Sequence, residues 1–185
     1  MSTPRLSSQP PTIAPMHVLI ATTGVLTPGP VVDFTSRLLT PGGRVSVTTV
    51  IEVPRTFLEH LRSESWHPLE DGDAPRWSED DDARIARYVE ERGRRLTEPV
   101  VTSLRAAGLP ADAVYLEGED PAKTISELAD QLDVDVVILG ATRQIFDQSA
   151  WESVSARVMI ESGRPVLVVP PPHREPVVSE PEVLD

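Results

Sequence analysis

The residues best suited to bind an anion follow an apolar run that ends in glycine. Residues 135–140 read DVVILG, and such a β-branched run is typical of a strand buried on both faces of a parallel sheet. A polar loop, ATRQIFDQ, follows, and SAWESVSARVMIESG then begins a helix near Ser149. A glycine loop that leads from a strand to a helix N-terminus can hold phosphate, because free backbone N–H groups and the helix dipole attract anions. Gly140, Ser153 and Ser155 are therefore candidate phosphate-binding residues.

Strands and helices alternate on both sides of this loop. Apolar runs predict five strands, at 17–22, 44–53, 113–117, 135–139 and 166–169. Helical patterns fall between them, at 31–39, 56–61, 79–107, 121–132 and 150–161. The alternation predicts an α/β fold: a single-domain, doubly wound, five-stranded parallel sheet with helices on both faces. Ligands of such folds bind at the carboxyl ends of the strands, so the loops after Thr22, Val50 and Gly140 are the places to expect a site.

Several residues mark the predicted helix ends. Ser78 is a candidate N-cap for the long helix, and Gly108 suits the left-handed residue that follows its last turn. Pro99 falls inside that helix and is expected to kink or split it. Asp120 followed by Pro121 is the signature of an N-cap with proline at the first helical position.

Composition excludes several classes of function. The formal net charge is −12, so the surface repels nucleic acids and anionic membranes. The chain has no cysteine, which excludes disulfides, thiolate catalysis and cysteine-ligated metals. Lys123 is the only lysine, and the four histidines show no paired spacing, so we assign no metal ligand and no catalytic residue. The first fifteen residues lack the apolar run of a secretory signal and no run approaches a membrane span, so we expect a cytoplasmic protein without membrane insertion.

The two ends of the chain differ in composition from its middle. Residues 1–15 are rich in Ser, Pro and Gln, and residues 171–185 are rich in Pro and acidic residues, so both are expected to be disordered tails. Residues 16–170 form the predicted domain. Within it, residues 54–79 contain two Trp, three Pro and an acidic stretch, and are interpreted as a short helix followed by an irregular insertion.

Two long segments resemble the universal stress protein family. They are EGEDPAKTISELADQLDVDVVILG and VVILGATR…SVSARVMIESGRPVLVVP, and the resemblance covers about residues 16–170. It implies an adenine nucleotide alpha hydrolase-like sheet with strand order 3-2-1-4-5, and a homodimer often built by pairing the last strand with its mate. An apolar edge strand needs such a partner or a cover. The predicted dimer interface is Val166, Leu167, Val168 and Val169.

The chain departs from the pattern of the family's nucleotide-binding members. That pattern is G-x2-G-x9-G-[S/T], of which Gly140 matches the first glycine. Arg143 stands at the second glycine, and Glu152, followed by Ser153, stands at the third after a gap one residue shorter. The family's acidic residue after the first strand is replaced by Thr22 or Thr23.

These departures favour weak or absent ATP binding. Arg143 can bind phosphate through its guanidinium, which keeps a nucleotide site open as an alternative. Ser149 and Glu152 form an S-x-x-E capping box, so the helix end would supply its own carboxylate, and Asp147 adds a second negative charge. At about 4–6 Å such a carboxylate and a phosphate repel by a few kcal/mol. For Ser153 and Ser155 we favour helix-end serines facing solvent or the loop, and for Val50 ordinary strand core.

Three functions follow, in descending order of support. The first is a non-enzymatic dimeric domain with a stress-response or regulatory role through protein contacts, and with no bound cofactor. The second is a sensor of ATP, AMP or a cyclic nucleotide. The third is a slow ATPase, for which the sequence offers no residue set. The candidate nucleotide-binding residues are Thr22, Thr23, Val50, Gly140, Arg143, Ser153 and Ser155.

Overall fold

The computed structural model describes residues 14–64, 79–141 and 153–170. In these ranges strands and helices alternate as the sequence predicts. The elements are β1 (His17–Ala21), α1 (Pro28–Leu38), β2 (Arg44–Ile51), α2 (Arg55–Glu64), α3 (Glu79–Ala106), β3 (Ala111–Glu117), α4 (Pro121–Gln131), β4 (Val136–Gly140), α5 (Val154–Glu161) and β5 (Val166–Val169). Residues 14 and 15 of the predicted N-terminal tail are described, and no residue of the predicted C-terminal tail is. The predicted insertion is described at residues 54–64 and 79.

The strands form one parallel sheet in the order β3-β2-β1-β4-β5, which confirms the predicted fold class. β1 lies at its centre, where Ile20 is in register with Val47 of β2 and with Ile138 of β4. The order changes direction at β1, so the chain winds outward to β3 on one side and to β5 on the other. The carboxyl ends of β1 and β4 therefore flank the crevice in which such folds bind ligands.

Alternate residues of the strands build two cores on opposite faces of the sheet. From β1, Val18 and Ile20 join one core, and Leu19 and Ala21 join the other. The first core contains residues of α1 and α3, and the second contains residues of α4 and α5. This arrangement explains the apolar strand sequences, because both faces of each central strand are buried.

Element boundaries differ from the predictions by a few residues. α1 begins at Pro28, not at Val31, since Pro28 and Pro30 occupy its first turn, where the backbone needs no N–H donor. β3 begins two residues before its predicted start, at Ala111, which is paired with Val45. The described part of the last helix begins at Val154 instead of Ala150.

The prediction that Pro99 splits the long helix is wrong. α3 runs without interruption from Glu79 to Ala106 with Pro99 inside it. The hydrogen bond that Pro99 cannot donate would have reached the carbonyl of Arg95, and both residues lie on the exposed face, where water can replace the lost donor. On the opposite face Val100 and Leu104 are buried against the sheet, which holds the helix in place.

The end of α3 confirms the role predicted for Gly108. This glycine has φ +79°, and its N–H donates to the carbonyl of Arg105 at 3.0 Å. The N–H of Leu109 donates to the carbonyl of Leu104, also at 3.0 Å. These two bonds close a Schellman motif, which turns the chain toward β3. The predicted N-cap at the other end, Ser78, lies outside the described residues.

His17 is a buried histidine at the amino edge of the sheet. Its Nδ1–H donates to the carbonyl of Leu132 at 3.2 Å, so its Nε2 accepts from the hydroxyl of Ser46 at 2.8 Å. Burial lowers the pKa of His17 below 6.5, and the charge of Arg44 acts in the same direction, whereas the Leu132 carbonyl and Asp135 oppose the shift. The ring is therefore neutral in the folded protein at neutral pH.

The lowered pKa of His17 predicts a loss of stability in mild acid. Well above pH 6.5 the ring is neutral in both the folded and unfolded chains, so it adds no pH dependence. As the pH falls further, the unfolded chain binds a proton and the folded chain does not, so the free energy of unfolding decreases. Urea unfolding from about pH 7.5 to about pH 5.5 should show a shallower pH slope for His17→Gln than for the wild type. Equal slopes would contradict this assignment.

Among the described residues, none of the helices combines the length and the apolar content that crossing a membrane requires.

Candidate functional site

A cavity of about 300 Å³ opens at the carboxyl edge of the sheet, next to β1 and β4. It lies where the strand order predicts a ligand crevice. Its walls come from the ends of three strands, the loop after β1 and the first turns of α4 and α5. The lining residues are Ala21, Thr22, Thr23, Val25, Leu26, Thr49, Val50, Pro121, Ile125, Leu139, Gly140, Ser153, Val154 and Ser155.

A tight turn after β1 forms one side of the cavity. The backbone N–H of Thr22 donates to the carbonyl of Thr48 at 2.9 Å, which extends the β1–β2 pairing by one residue. The hydroxyl of Thr22 then accepts from the N–H of Gly24 at 3.0 Å. Gly24 has φ +89°, a conformation that glycine adopts without strain. The turn directs Val25 and Leu26 over the strand ends, where both line the cavity.

Gly140 closes the floor of the cavity at the end of β4. Its φ is not positive, so this position does not need glycine for its backbone conformation. A Cβ atom built there would lie 3.3 Å from Cδ1 of Leu26, which is a tight contact. Gly140 therefore gives room for Leu26 to pack over the strand end, and this is a different role from the phosphate contact that the sequence suggested.

The two serines at the start of α5 are both engaged within the protein. The hydroxyl of Ser153 accepts from the N–H of Ala156 at 3.2 Å, so Ser153 is the N-cap of α5. The hydroxyl of Ser155 is buried and donates to the carbonyl of Gly140 at 3.1 Å. The described α5 begins after Ser153, and for Ser155 the predicted exposure to solvent is wrong, because its side chain is buried against the carbonyl where the loop begins. Ser149 and Glu152 themselves lie outside the described residues.

An ion pair links the first turns of α4 and α5 beside the cavity. Nη1 and Nη2 of Arg157 each donate to one carboxylate oxygen of Asp120 at 2.8 Å, and Nε donates to Glu161 at 2.9 Å. Asp120 is also the N-cap of α4, where it accepts from the N–H of Lys123 at 3.3 Å. The hydrogen bonds from Arg157 are the main cause that lowers the pKa of Asp120 below its ordinary value.

The described lining of the cavity carries no ionisable side chain. It consists of apolar side chains and hydroxyls, and Arg157, although one turn beyond Ser153, is not among the lining residues. In the ranges that the structure describes, no group of three or more His, Asp or Glu side chains could hold a metal ion. The described site can therefore bind through apolar contacts and neutral hydrogen bonds.

Comparison with known proteins identifies the family. The model of the universal stress protein family matches residues 16–170, which is most of the chain. The chain belongs to the universal stress protein family. A comparison with curated protein sequences found no match.

Solved structures of the universal stress protein fold resemble this chain. The hypothetical protein MJ0577 has a TM-score of 0.57 and 17% identity, over 88% of this chain and 100% of that chain. A universal stress protein family protein from Burkholderia pseudomallei has a TM-score of 0.52 and 16% identity, over 83% and 95%. A family member from Arabidopsis thaliana with AMP bound has a TM-score of 0.52 and 15% identity, over 85% and 93%. These similarities support the fold.

In this member of the universal stress protein family, six of the seven predicted site residues line one cavity. They are Thr22, Thr23, Val50, Gly140, Ser153 and Ser155. Arg143, the seventh, lies outside the described residues. Val50 also packs against the core between the sheet and α4, as its interpretation as strand core predicts.

Sequence reasoning missed two parts of the site in this family member. One is the first turn of α4, where Pro121 and Ile125 line the cavity. The predicted order of strand and helix could have indicated it, because a helix that follows a parallel strand begins at the carboxyl edge of the sheet. The other is the pair of Asp120 and Arg157. Thirty-seven residues separate them, and no local pattern connects the two.

Proposed function

We propose that the protein is a dimeric regulatory domain that acts through protein contacts, in stress response or related control, and binds ATP weakly or not at all. The absence of an ionisable side chain from the described cavity lining carries the proposal. A triphosphate needs cations or free donors to replace its water shell. Here the hydroxyl of Ser155 already donates to the backbone, and Arg157 is held by two carboxylates.

Charge beyond the cavity opposes a triphosphate as well. The formal net charge of the chain is −12, so a polyanion approaches against a repulsive field. No catalytic group set supports hydrolysis in the described residues, and the proposed role is therefore not enzymatic.

Calorimetric titration with ATP, with and without Mg²⁺, tests the proposal. Protein shown to carry no co-purified nucleotide should give no binding heat up to millimolar ATP. Micromolar binding would overturn the proposal and would direct attention to Arg143 as a phosphate ligand.

The edge strand β5 supports the proposed dimer. Val166, Leu167 and Val168 are only half-buried in the single chain, although all three are large and apolar. The carbonyl of Val169 accepts from the N–H of Ala141, so Val169 and Leu167 direct their backbone groups toward β4. The backbone groups of Val166 and Val168 therefore point away from the sheet, where a second copy of the strand can pair with them.

Replacing Val168 with proline should separate the dimer into monomers without unfolding it. Proline removes the N–H that faces the open edge and leaves the pairing of β5 with β4 intact. Sedimentation velocity should show a dimer for the wild type and for Val168→Ala, and a monomer for Val168→Pro. Circular dichroism of all three checks the fold. A folded Val168→Pro variant that remains dimeric would contradict an interface built on β5.

A second candidate function is a sensor of an adenosine compound, and the cavity itself favours it. Its volume of about 300 Å³ lies at the lower end of the range of ligand pockets. The Arabidopsis thaliana structure with the same fold has AMP bound. The two candidates differ in a measurable way, because a sensor changes its stability or its assembly when the compound binds, and a scaffold does not.

A further inference from the structure

We propose that the cavity selects uncharged ligands over their phosphorylated forms, and that Asp120 imposes this selection by holding Arg157 in an ion pair. The inference rests on the second candidate function, in which the cavity binds an adenosine compound. In this proposal Asp120 and Arg157 determine which ligands bind, in addition to linking α4 and α5.

The walls of the cavity suit a neutral, largely apolar molecule. Leu26, Ile125 and Leu139 are buried side chains that line its interior. Two further apolar residues line the cavity: Val25 in the loop after β1, which is 74% exposed, and Val154 at the start of α5, which is 37% exposed. Contact between these exposed side chains and an apolar ligand favours binding, because the ligand removes their apolar surface from water.

The polar groups of the described lining provide no counter-charge for a phosphate. The hydroxyl of Ser155 donates to a backbone carbonyl, whereas those of Thr22 and Ser153 accept from backbone N–H groups and keep their own protons. A neutral hydroxyl can donate to a phosphate, but none of the described lining residues brings a charge that compensates it. Burying an uncompensated charge is costly, so the phosphorylated form of a ligand is disfavoured.

Arg157 is one described cation that could change this balance. It lies on α5 four residues after Ser153, so it is one turn away from the lining residues of that helix. Three of its N–H groups are directed to carboxylates, two to Asp120 at 2.8 Å and one to Glu161 at 2.9 Å. Asp120 directly precedes the lining residue Pro121, so the pair joins a residue next to the lining of α4 to one that is two residues after the lining residue Ser155 of α5. While the pair holds, the guanidinium charge is neutralised beside the cavity and is not available to a ligand.

The test compares adenosine and AMP, which differ only in the phosphate, in the wild type and in Asp120→Asn. Asparagine keeps the size of the side chain and its ability to cap α4, and it removes the charge that competes for Arg157. The wild type should bind adenosine at least tenfold more tightly than AMP. Asp120→Asn should bind AMP roughly tenfold more tightly than the wild type does, because a charged hydrogen bond becomes available, and should bind adenosine as before.

Asp133→Asn is the matched control. Asp133 also pairs with an arginine, since Nη1 of Arg164 donates to it at 3.0 Å, but it lies at the amino edge of the sheet, away from the cavity. Its φ of 47° suits asparagine as well as aspartate. This variant changes the net charge by the same amount as Asp120→Asn and should leave the affinity for AMP unchanged.

A double variant, Asp120→Asn with Arg157→Met, shows whether the arginine is responsible. It should lose the gain in AMP affinity while it keeps adenosine binding. Thermal melts of every variant check folding, and adenosine binding reports an intact cavity.

Each other outcome would overturn the inference. AMP binding as tight as adenosine binding in the wild type would show that the cavity does not discriminate. Equal gains in Asp120→Asn and Asp133→Asn would reveal a general charge effect. If neither compound binds, the inference and the sensor function both fail, and the proposal of a regulatory domain with weak ATP binding stands. Micromolar ATP binding in the wild type would overturn that first proposal by itself.

Discussion

Replacing Ile138 with alanine is expected to lower the free energy of unfolding by about 2–5 kcal/mol. Ile138 is 0% exposed, and it lies in β4 between Ile20 of β1 and Leu167 of β5. Its side chain belongs to the core between the sheet and the helices α1 and α3. Alanine leaves a void that the neighbouring strands cannot fill, because their hydrogen bonds fix the spacing of the backbone.

Ile160→Ala is the control for this prediction, since it removes the same atoms from an exposed position. Ile160 lies on α5 and is 63% exposed, so the free energy of unfolding should change by no more than about 0.5 kcal/mol. Urea unfolding of the three proteins at one concentration makes the comparison. Similar losses for both variants would contradict the assignment of Ile138 to the centre of the core.

The contrast between these two isoleucines shows what the sequence could predict about the fold. Ile138 lies in the run VVILG, and continuous apolar runs of this kind marked β1, β4 and β5. Ile160 lies in the helical run VMIE, where its apolar type does not show whether the position is buried. Alternation of strands and helices then determined a parallel sheet, and the strand order came from the family resemblance. The structure confirms that order.

Element ends were predicted less well, for physical reasons that differ between sites. Pro28 and Pro30 looked like loop residues, but the first turn of α1 accepts proline because it needs no N–H donor there. Pro99 looked like a helix breaker, yet its missing hydrogen bond falls on the exposed face of α3. Burial of Val100 and Leu104 on the other face outweighs the local preference.

The site was predictable in position and not in chemistry. Strand ends and the glycine of β4 predicted where the cavity lies, because the carboxyl edge of a parallel sheet is fixed by topology. The hydrogen bonds of Ser155 and the pairing of Arg157 with Asp120 depend on how α4 and α5 pack, which no local pattern encodes. The sequence could therefore predict most of the residues that line the cavity, and only the structure shows which hydrogen bonds and ion pairs they and their neighbours already form.

Replacing Gly93 with alanine should lower the free energy of unfolding by about 1–3 kcal/mol, although alanine is the better helix former by about 1 kcal/mol. Gly93 is buried in α3, where the ring of Tyr115 from β3 packs directly on the helix backbone. A Cβ atom at Gly93 would lie 2.5 Å from Cδ1, 2.6 Å from Cγ and 2.9 Å from Cβ of Tyr115. These atoms are at the base of the side chain, so rotation of the ring cannot relieve the contact, and the strand must shift.

A double-mutant cycle with Tyr115→Gly isolates this contact, because the sign of the effect should reverse. With the whole side chain removed, including its Cβ atom, Gly93→Ala meets none of the three atoms and should stabilise the protein by about 0.5–1 kcal/mol through its helix preference. Urea unfolding of the four proteins gives the coupling energy, and a stabilising Gly93→Ala in the wild-type background would disprove the packing. The contact also bears on the site. Tyr115 is in register with Thr49 of β2, and Thr49 lines the cavity, so a shift of β3 changes the strand that forms the cavity wall.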